Sequence, residues 1–159
     1  MTAYEELIKE ADQKGCIVVE RNLTANDGLI VGKRIGIRKS IRTEAQKADV
    51  LAEEIAHYES SCGNILDQSI ALNRQQELRA RLRAYDKRIG LSGLVRAYEH
   101  GCQTFYEVSE YLGVQESFLR EAVECYRHKY GTAAKHGDYI VCFEPRMAII
   151  KMIQKGKSQ

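Results

Sequence analysis

The segment Val50–Tyr58 constrains the fold of this chain most strongly, because its residues separate into two chemically different faces when they form a helix. Residues three and four positions apart share one face of an α-helix. Glu53, Glu54 and His57 therefore lie together on one turn, on the side away from an apolar stripe. Such a helix packs its apolar side against the core. The stripe consists of Ala48, Leu51, Ala52 and Ile55.

The sequence also indicates where this helix begins and ends. Thr43 is a favourable N-cap residue, and Glu44 follows in the first turn, where a carboxylate interacts well with the helix dipole. We expect the helix to begin at about residue 43 and to end at Tyr58 or Glu59. Beyond it, Gly63 can adopt the left-handed conformation of a C-terminal cap.

The spacing of Glu53, Glu54 and His57 is that of the H-E-x-x-H motif, with glutamate at the first histidine position. In that motif the two histidines bind zinc, and the intervening glutamate is a general base. The alternative is an ordinary solvated helix, because glutamate is a good helix former and Glu and His four residues apart are a common pair. These letters alone leave both interpretations open.

Length and charge limit the class of protein. A chain of 159 residues is long enough for one domain with a sizeable core. Its 24 Lys and Arg against 22 Asp and Glu give a net charge of +2, which favours no particular partner. We expect a cytoplasmic protein, because no apolar run approaches the length of a membrane span and the first residues do not resemble a signal peptide.

The cysteines are odd in number, scattered, and without a C-x-x-C pair, which argues against a disulfide framework and a structural zinc knuckle. We expect buried thiols in a reducing compartment. Cys62 lies close enough to His57 in sequence to approach a bound metal, although packing beside Gly63 is the simpler role. The five are Cys16, Cys62, Cys102, Cys125 and Cys142.

Short elements are predicted before the helix that carries Glu53, Glu54 and His57. Apolar residues at helical spacing predict a helix over 3–13. Runs rich in β-branched residues predict strands over 16–20, 29–31 and 34–37, the last two joined at Gly32-Lys33. A small antiparallel sheet is therefore expected here. The residues expected to face the core are Leu7, Ile8, Ala11, Ile35 and Ile37.

A second long helix is predicted over 69–88, and it is strongly basic. Between residues 74 and 96 there are seven Lys and Arg against two Asp and Glu, a local charge of seven minus two, or plus five. This charge indicates either a solvated face or a surface that attracts an acidic partner or substrate segment. The residues expected on its inner side are Ile70, Leu72 or Asn73, Gln76, Ala80 and Ala84.

Three short helices are predicted next, over 91–99, 104–112 and 116–129. The segment 104–119 has the pattern of a helix-turn-helix, with Gly113 at the turn. Residues 104–129 contain five glutamates against three Lys and Arg, a net charge of minus two, which opposes phosphate binding. We therefore interpret the unit as a packing or protein-recognition element rather than a DNA reader. Its expected core residues are Val108, Leu112, Val114 and Leu119.

The C-terminal part is predicted to contain one strand. A connection after Gly131 leads to the apolar run 138–144, which Pro145 closes. Residues 147–153 are expected to form a short amphipathic end, and residues 155–159 a frayed tail.

Three segments together resemble the small phage and mobile-element branch of the ImmA/IrrE metallopeptidases. They are Leu51–Tyr58, Gly63–Asp67 and Asn73–Ala80, and the resemblance extends through the helix-turn-helix-like unit to the strand before Pro145. It implies an α+β, zincin-like minimal metalloprotease. The expected organisation is a metallopeptidase core over 1–90, a helix-turn-helix-like unit over 91–130, and a C-terminal strand and tail over 131–159 packing back on the core.

The resemblance also implies roles for four residues. His57 matches the second histidine ligand, Glu54 the general base, and Glu77 the acidic third ligand on the following helix. Glu53 occupies the first ligand position, where this branch has A-E-E-x-x-H in place of H-E-x-x-H. Zinc accepts carboxylate ligands, but two carboxylates shift the preference toward manganese or iron and acidify bound water less. The simpler alternatives are a hydrogen-bonded His57 without metal and a Glu77 that is only a salt-bridge centre.

The activity that this resemblance implies is cleavage, or assisted clearance, of a helix-turn-helix repressor that keeps phage or stress genes silent. Two alternatives stay open. One is a catalytically inactive pseudo-protease that binds the repressor. The other is a DNA-binding regulator acting through residues 104–129, against which the negative charge of that segment counts.

Overall fold

The computed structural model describes residues 1–61 and 70–153, and it confirms the α+β class. No helix within these ranges is both long and apolar enough to cross a membrane. The helices are α1 (Ala3–Gln13), α2 (Glu44–Ser61), α3 (Ile70–Arg88), α4 (Gly90–Glu99), α5 (Phe105–Leu112) and α6 (Glu116–Tyr130). The strands are β1 (Ile17–Arg21), β2 (Gly28–Val31), β3 (Arg34–Arg38), β4 (Ala133–His136), β5 (Tyr139–Cys142) and β6 (Ala148–Lys151).

Some predictions concern residues outside these ranges. They are the cap at Gly63, the role of Cys62, the segment Gly63–Asp67, and the frayed tail over 155–159. The side chains of Ile70 and Leu72 are also outside the description.

Helix α2 has the predicted start and the predicted buried face. The Thr43 hydroxyl accepts a hydrogen bond from the backbone N–H of Gln46 at 3.2 Å, as an N-cap does. The helix continues to Ser61, two residues past the predicted end. All four residues of the apolar stripe are buried, which leaves the Glu–His side free to form a site.

The first sheet differs from the prediction in one pairing. β2 and β3 form the expected antiparallel hairpin, but β1 pairs with β3 in parallel, in the order β1-β3-β2. The expected antiparallel sheet is therefore wrong for β1, because the connection over 22–27 carries the chain past the position beside β1 and places β2 at the far edge. Ile35 and Ile37 are fully buried as predicted, and each contributes roughly 1.5–3 kcal/mol by leaving water.

Helices α5 and α6 form close to the expected positions and are joined by the predicted turn at Gly113. Gly113 ends α5 in the left-handed conformation, with φ 66° and ψ 36°, which glycine adopts without a steric penalty. Val114 and Leu119 are buried, and Val108 and Leu112 pack against the same core.

The C-terminal part forms a second antiparallel sheet, in the order β4-β5-β6. The predicted connection after Gly131 instead contains β4, and the amphipathic end contains β6. The sequence of β4 carries little apolar alternation, so its strand depends on pairing with β5 through a turn at Gly137, which has φ 59°. Val141 and Phe143 join the same buried cluster as the helices.

A buried polar cluster fixes α6 against α2 and α3. Asp49 of α2 is 1% exposed and accepts hydrogen bonds from Arg88 Nε and from the backbone N–H of Gln115, each at 2.9 Å. Arg88 also donates to the backbone oxygen of Gly113. Because a buried charge is tolerated only when paired, these bonds determine how the three helices meet.

Candidate functional site

His57 lies between two carboxylates that come from different helices. Its Nε2 is 3.1 Å from Glu77 Oε2 on α3, and its Nδ1 is 3.9 Å from Glu54 Oε2 on α2. A carboxylate accepts, so Nε2 donates to Glu77 in this arrangement. The structure thus brings together the predicted metal ligands His57 and Glu77 and the predicted base Glu54. The imidazole ring of His57 lies between the two carboxylates.

The carboxylate of Glu54 is largely buried, and it packs against the first residue of β2. A Cβ added to Gly28 would lie 2.8 Å from Glu54 Oε1 and 2.7 Å from a methyl carbon of Val50, closer than real contacts allow. Only glycine therefore lets α2 approach the sheet this closely. Burial raises the pKa of Glu54 above its usual value, and the nearby charge of His57 opposes that shift.

Glu53 faces a different neighbour, helix α6. Burial, with smaller contributions from Glu121 and Glu54, raises the pKa of Glu53 to about 7. A carboxyl group with this pKa exists in both protonation states near neutral pH. The Glu53 side chain forms no hydrogen bond with another described residue, and it lines the adjacent cleft.

One of the two carboxylate oxygens of Glu77 forms a salt bridge, as in the alternative interpretation in which Glu77 binds no metal. Its Oε1 accepts from Arg81 Nε at 3.3 Å, one turn further along α3, while its Oε2 faces His57. The Glu77 side chain is 48% exposed, so the ion pair by itself adds little stability. Arg81 contacts the Glu77 oxygen that points away from the imidazole, so the ion pair leaves the other oxygen facing His57.

Glu53, His57 and Glu77, but not Glu54, line an open cleft of about 600 Å³ between α2, α3 and α6. Sequence reasoning missed the contribution of α6, which places Arg120, Glu121, Glu124 and Cys125 on the far wall. Glu121 accepts a hydrogen bond from the buried Tyr85 hydroxyl at 3.3 Å. Glu121 and Cys125 are four residues apart, so the sequence predicts that they share one face of α6. Nothing in the sequence indicates that this face lies opposite Glu53.

The basic charge of α3 is in large part neutralised within the chain. Four of the seven basic residues counted over 74–96 have carboxylate partners in the described part of the protein: Arg81, Arg83, Lys87 and Arg88.

The inner face predicted for α3 is found in part. Ala80 and Ala84 face the core as predicted, Gln76 is partly buried, and Asn73 is exposed.

The three predicted ligands match a metal ion in donor chemistry and only partly in position. Ligand atoms bound to one tetrahedral zinc ion lie roughly 3.3 Å apart, and His57 Nε2 and Glu77 Oε2 are 3.1 Å apart. Glu53 lines the same cleft one turn before His57. Its oxygens do not join the other two, and no three His, Cys, Asp or Glu of the described ranges are close enough to enclose a metal.

Comparison of the chain with protein-family models, with curated proteins and with solved structures gave no match. The assignment of a function therefore depends on the site itself.

Proposed function

We propose that this chain is a zincin-like, metal-dependent endopeptidase whose substrate is a helix-turn-helix transcriptional repressor. The observation that supports this most is the meeting of an imidazole from α2 and a carboxylate from α3 at 3.1 Å in an open cleft. A second, largely buried carboxylate, Glu54, stands beside the same ring. An imidazole flanked by carboxylates, one of them with a raised pKa, supplies the kinds of group that metal-assisted hydrolysis uses.

Glu53, His57 and Glu77 are the residues that would hold the metal. When bound, zinc, manganese or iron would polarise the scissile carbonyl and make a water molecule more acidic. Glu53 lines the same cleft, and its side chain would have to turn toward His57 and Glu77 to complete the ligand set. Two carboxylates among three ligands predict a slower hydrolase than a site with two histidines.

Glu54 is proposed to handle the proton. It accepts the proton of the attacking water and delivers it to the nitrogen of the leaving amine as the peptide C–N bond breaks. Burial raises its pKa toward neutrality, which makes the carboxylate a stronger base. Its oxygen lies 3.9 Å from Nδ1 of His57, so the two side chains interact through charge rather than through a hydrogen bond.

Strand β2 offers an extended substrate a partner. It is an edge strand of the first sheet and begins at Gly28, in contact with Glu54. A peptide that adds to such an edge gains backbone hydrogen bonds regardless of its sequence. Residues of the substrate next to Gly28 would thus lie beside the proposed base.

The proposal is tested by incubating the protein with the repressor of its own genetic element, with and without Glu54→Gln. We expect cleavage to fall roughly 10²–10⁴-fold in this variant, the usual contribution of a general base. Glu44→Gln changes a glutamate at the other end of α2 and serves as the control. Equal cleavage by Glu54→Gln and the control would remove Glu54 from the mechanism.

A second candidate is a pseudo-protease that binds the repressor without cleaving it. It is favoured by the position of Glu53 apart from the other two ligands and by the contact of Arg81 with Glu77. Metal analysis separates the two candidates. Absence of bound metal at neutral pH, after supplementation with zinc and with manganese, would support the binding module and contradict the enzyme.

A further inference from the structure

The outer face of α5 consists of tyrosine and glutamate side chains. Phe105, Val108, Ser109 and Leu112 point inward, at the spacing of one helix face. The other face carries Tyr106, Glu107, Glu110 and Tyr111, all exposed, with Tyr106 at 60% and Tyr111 at 41%. One side of the Tyr111 ring already stacks on His100, so the Tyr106 ring is the more available of the two. α5 contains no Lys or Arg, so this Tyr–Glu face is both aromatic and negatively charged.

An apolar groove of about 380 Å³ lies at the inner edge of the same helix, between α4, α5 and β6. Glu107 stands at its rim, because its Oε2 accepts from the backbone N–H of the groove residue Gln103 at 2.9 Å. The groove and the Tyr–Glu face therefore adjoin. The larger apolar residues that line the groove are Leu94, Tyr98, Phe105, Val108, Met147 and Ile149.

We propose that this surface docks a basic protein segment that carries one protruding apolar side chain. Guanidinium groups stack on exposed tyrosine rings and pair with carboxylates, so Arg side chains satisfy both parts of the face. The apolar side chain fills the groove. On the proposed function, the segment is the DNA-contacting surface of the repressor, which must be basic in order to bind phosphate.

Docking on this face would compete with operator DNA, because the same basic side chains of the partner make both contacts. Nucleic acid itself is repelled by the two glutamates. The surface is thus a site for holding the partner that is separate from the cleft where His57 lies.

The experiment uses the full chain with Glu54→Gln, so that binding is measured without cleavage. The probe is a fluorescent helical peptide of about 20 residues with Arg on one face and a single Leu. We expect Glu110→Lys to weaken its binding by roughly tenfold or more, since like charges oppose each other in an interface. We expect Tyr106→Ala to weaken it roughly two- to fivefold.

Glu6→Lys is the matched control, because it makes the same charge change on the exposed side of α1. Equal weakening by Glu110→Lys and Glu6→Lys would show attraction to net charge alone and would overturn the proposal. So would equal binding of a peptide with Glu in place of Arg. Loss of binding on Glu121→Gln rather than on Glu110→Lys would place the peptide in the cleft and contradict docking on α5.

Failure of this proposal and failure of the proposed function give different results. Peptide binding that depends on Glu110, without cleavage of the repressor by the wild-type chain, supports docking and removes the endopeptidase. Cleavage that Glu110→Lys leaves unchanged supports the endopeptidase and removes the docking surface.

Discussion

Replacing Asp49 by alanine should destabilise the protein more than any comparable change at an exposed ion pair. Asp49 accepts three hydrogen bonds, from Arg88 Nε at 2.9 Å and from the backbone and side chain of Gln115 at 2.9 and 3.4 Å. The Arg88 side chain is only 5% exposed, so the substitution leaves its charge buried and short of its partner. Breaking one half of a buried ion pair costs about 3–5 kcal/mol of unfolding free energy.

Urea denaturation measures this loss directly. With an m-value of about 2 kcal/mol/M, a loss of about 3–5 kcal/mol lowers the midpoint by about 1.5–2.5 M urea. Asp27→Ala is the matched control, because Asp27 pairs with Arg38 at an exposed site and should cost less than about 1 kcal/mol. Replacing both members of the buried pair, as Asp49→Leu with Arg88→Met, should recover much of the loss. Equal midpoint shifts for Asp49→Ala and Asp27→Ala would refute the reasoning.

Three further predictions concern the site. The pKa of Glu53 is raised to about 7 from a usual value of 4.5, so between these two pH values the folded chain binds a proton that the unfolded chain does not. The contribution of this proton to the unfolding free energy is complete below pH 4.5 and is lost as pH rises through about 7. Denaturation at pH 5 and pH 8 should therefore show that Glu53→Gln is more stable than wild type at pH 8 only, by about 1–3 kcal/mol; an equal difference at both values would contradict the assigned burial. Gly28→Ala should lower the unfolding free energy by about 1–3 kcal/mol and displace the Glu54 side chain, because the added Cβ meets Val50 and Glu54. Gly36→Ala is the control and should cost much less, because its Cβ would make only ordinary contacts at 3.7 Å or more. Similar thermal melts for the two variants would count against the close approach of α2 and β2. Glu77→Gln should change unfolding free energy by less than about 1 kcal/mol, since the side chain is half exposed, yet weaken zinc binding in calorimetry at least about tenfold; unchanged affinity would exclude Glu77 as a ligand.

The sequence is informative where contacts are local. The stripe on α2, the alternation of Ile35 and Ile37, and the turn at Gly113 each depend on residues within a few positions of one another, and all three predictions are confirmed. Periodicity and glycine chemistry are sufficient for such features.

Features that depend on distant partners could not be predicted in this way. The burial of Asp49 requires Arg88 and Gln115, which are 39 and 66 residues away. The parallel pairing of β1 with β3 depends on the route of the intervening chain. β4 and β6 gain their strand conformation from β5, because their own alternation is weak.

The sequence predicts only that part of the candidate site in which residues share one turn of a helix. Glu53, Glu54 and His57 share a turn of α2, and the resemblance indicated Glu77, which the structure places against His57. The facing wall supplied by Glu121 of α6 was not accessible, because it is set by packing between helices far apart in the chain.

The most direct test of the account is anomalous diffraction from crystals of the protein grown with zinc, and in parallel with manganese. We expect a peak about 2.0–2.2 Å from both His57 Nε2 and Glu77 Oε2, with a Glu53 oxygen turned toward it. A direct hydrogen bond between His57 and Glu77 that persists at saturating metal, with no peak in the cleft, would contradict it.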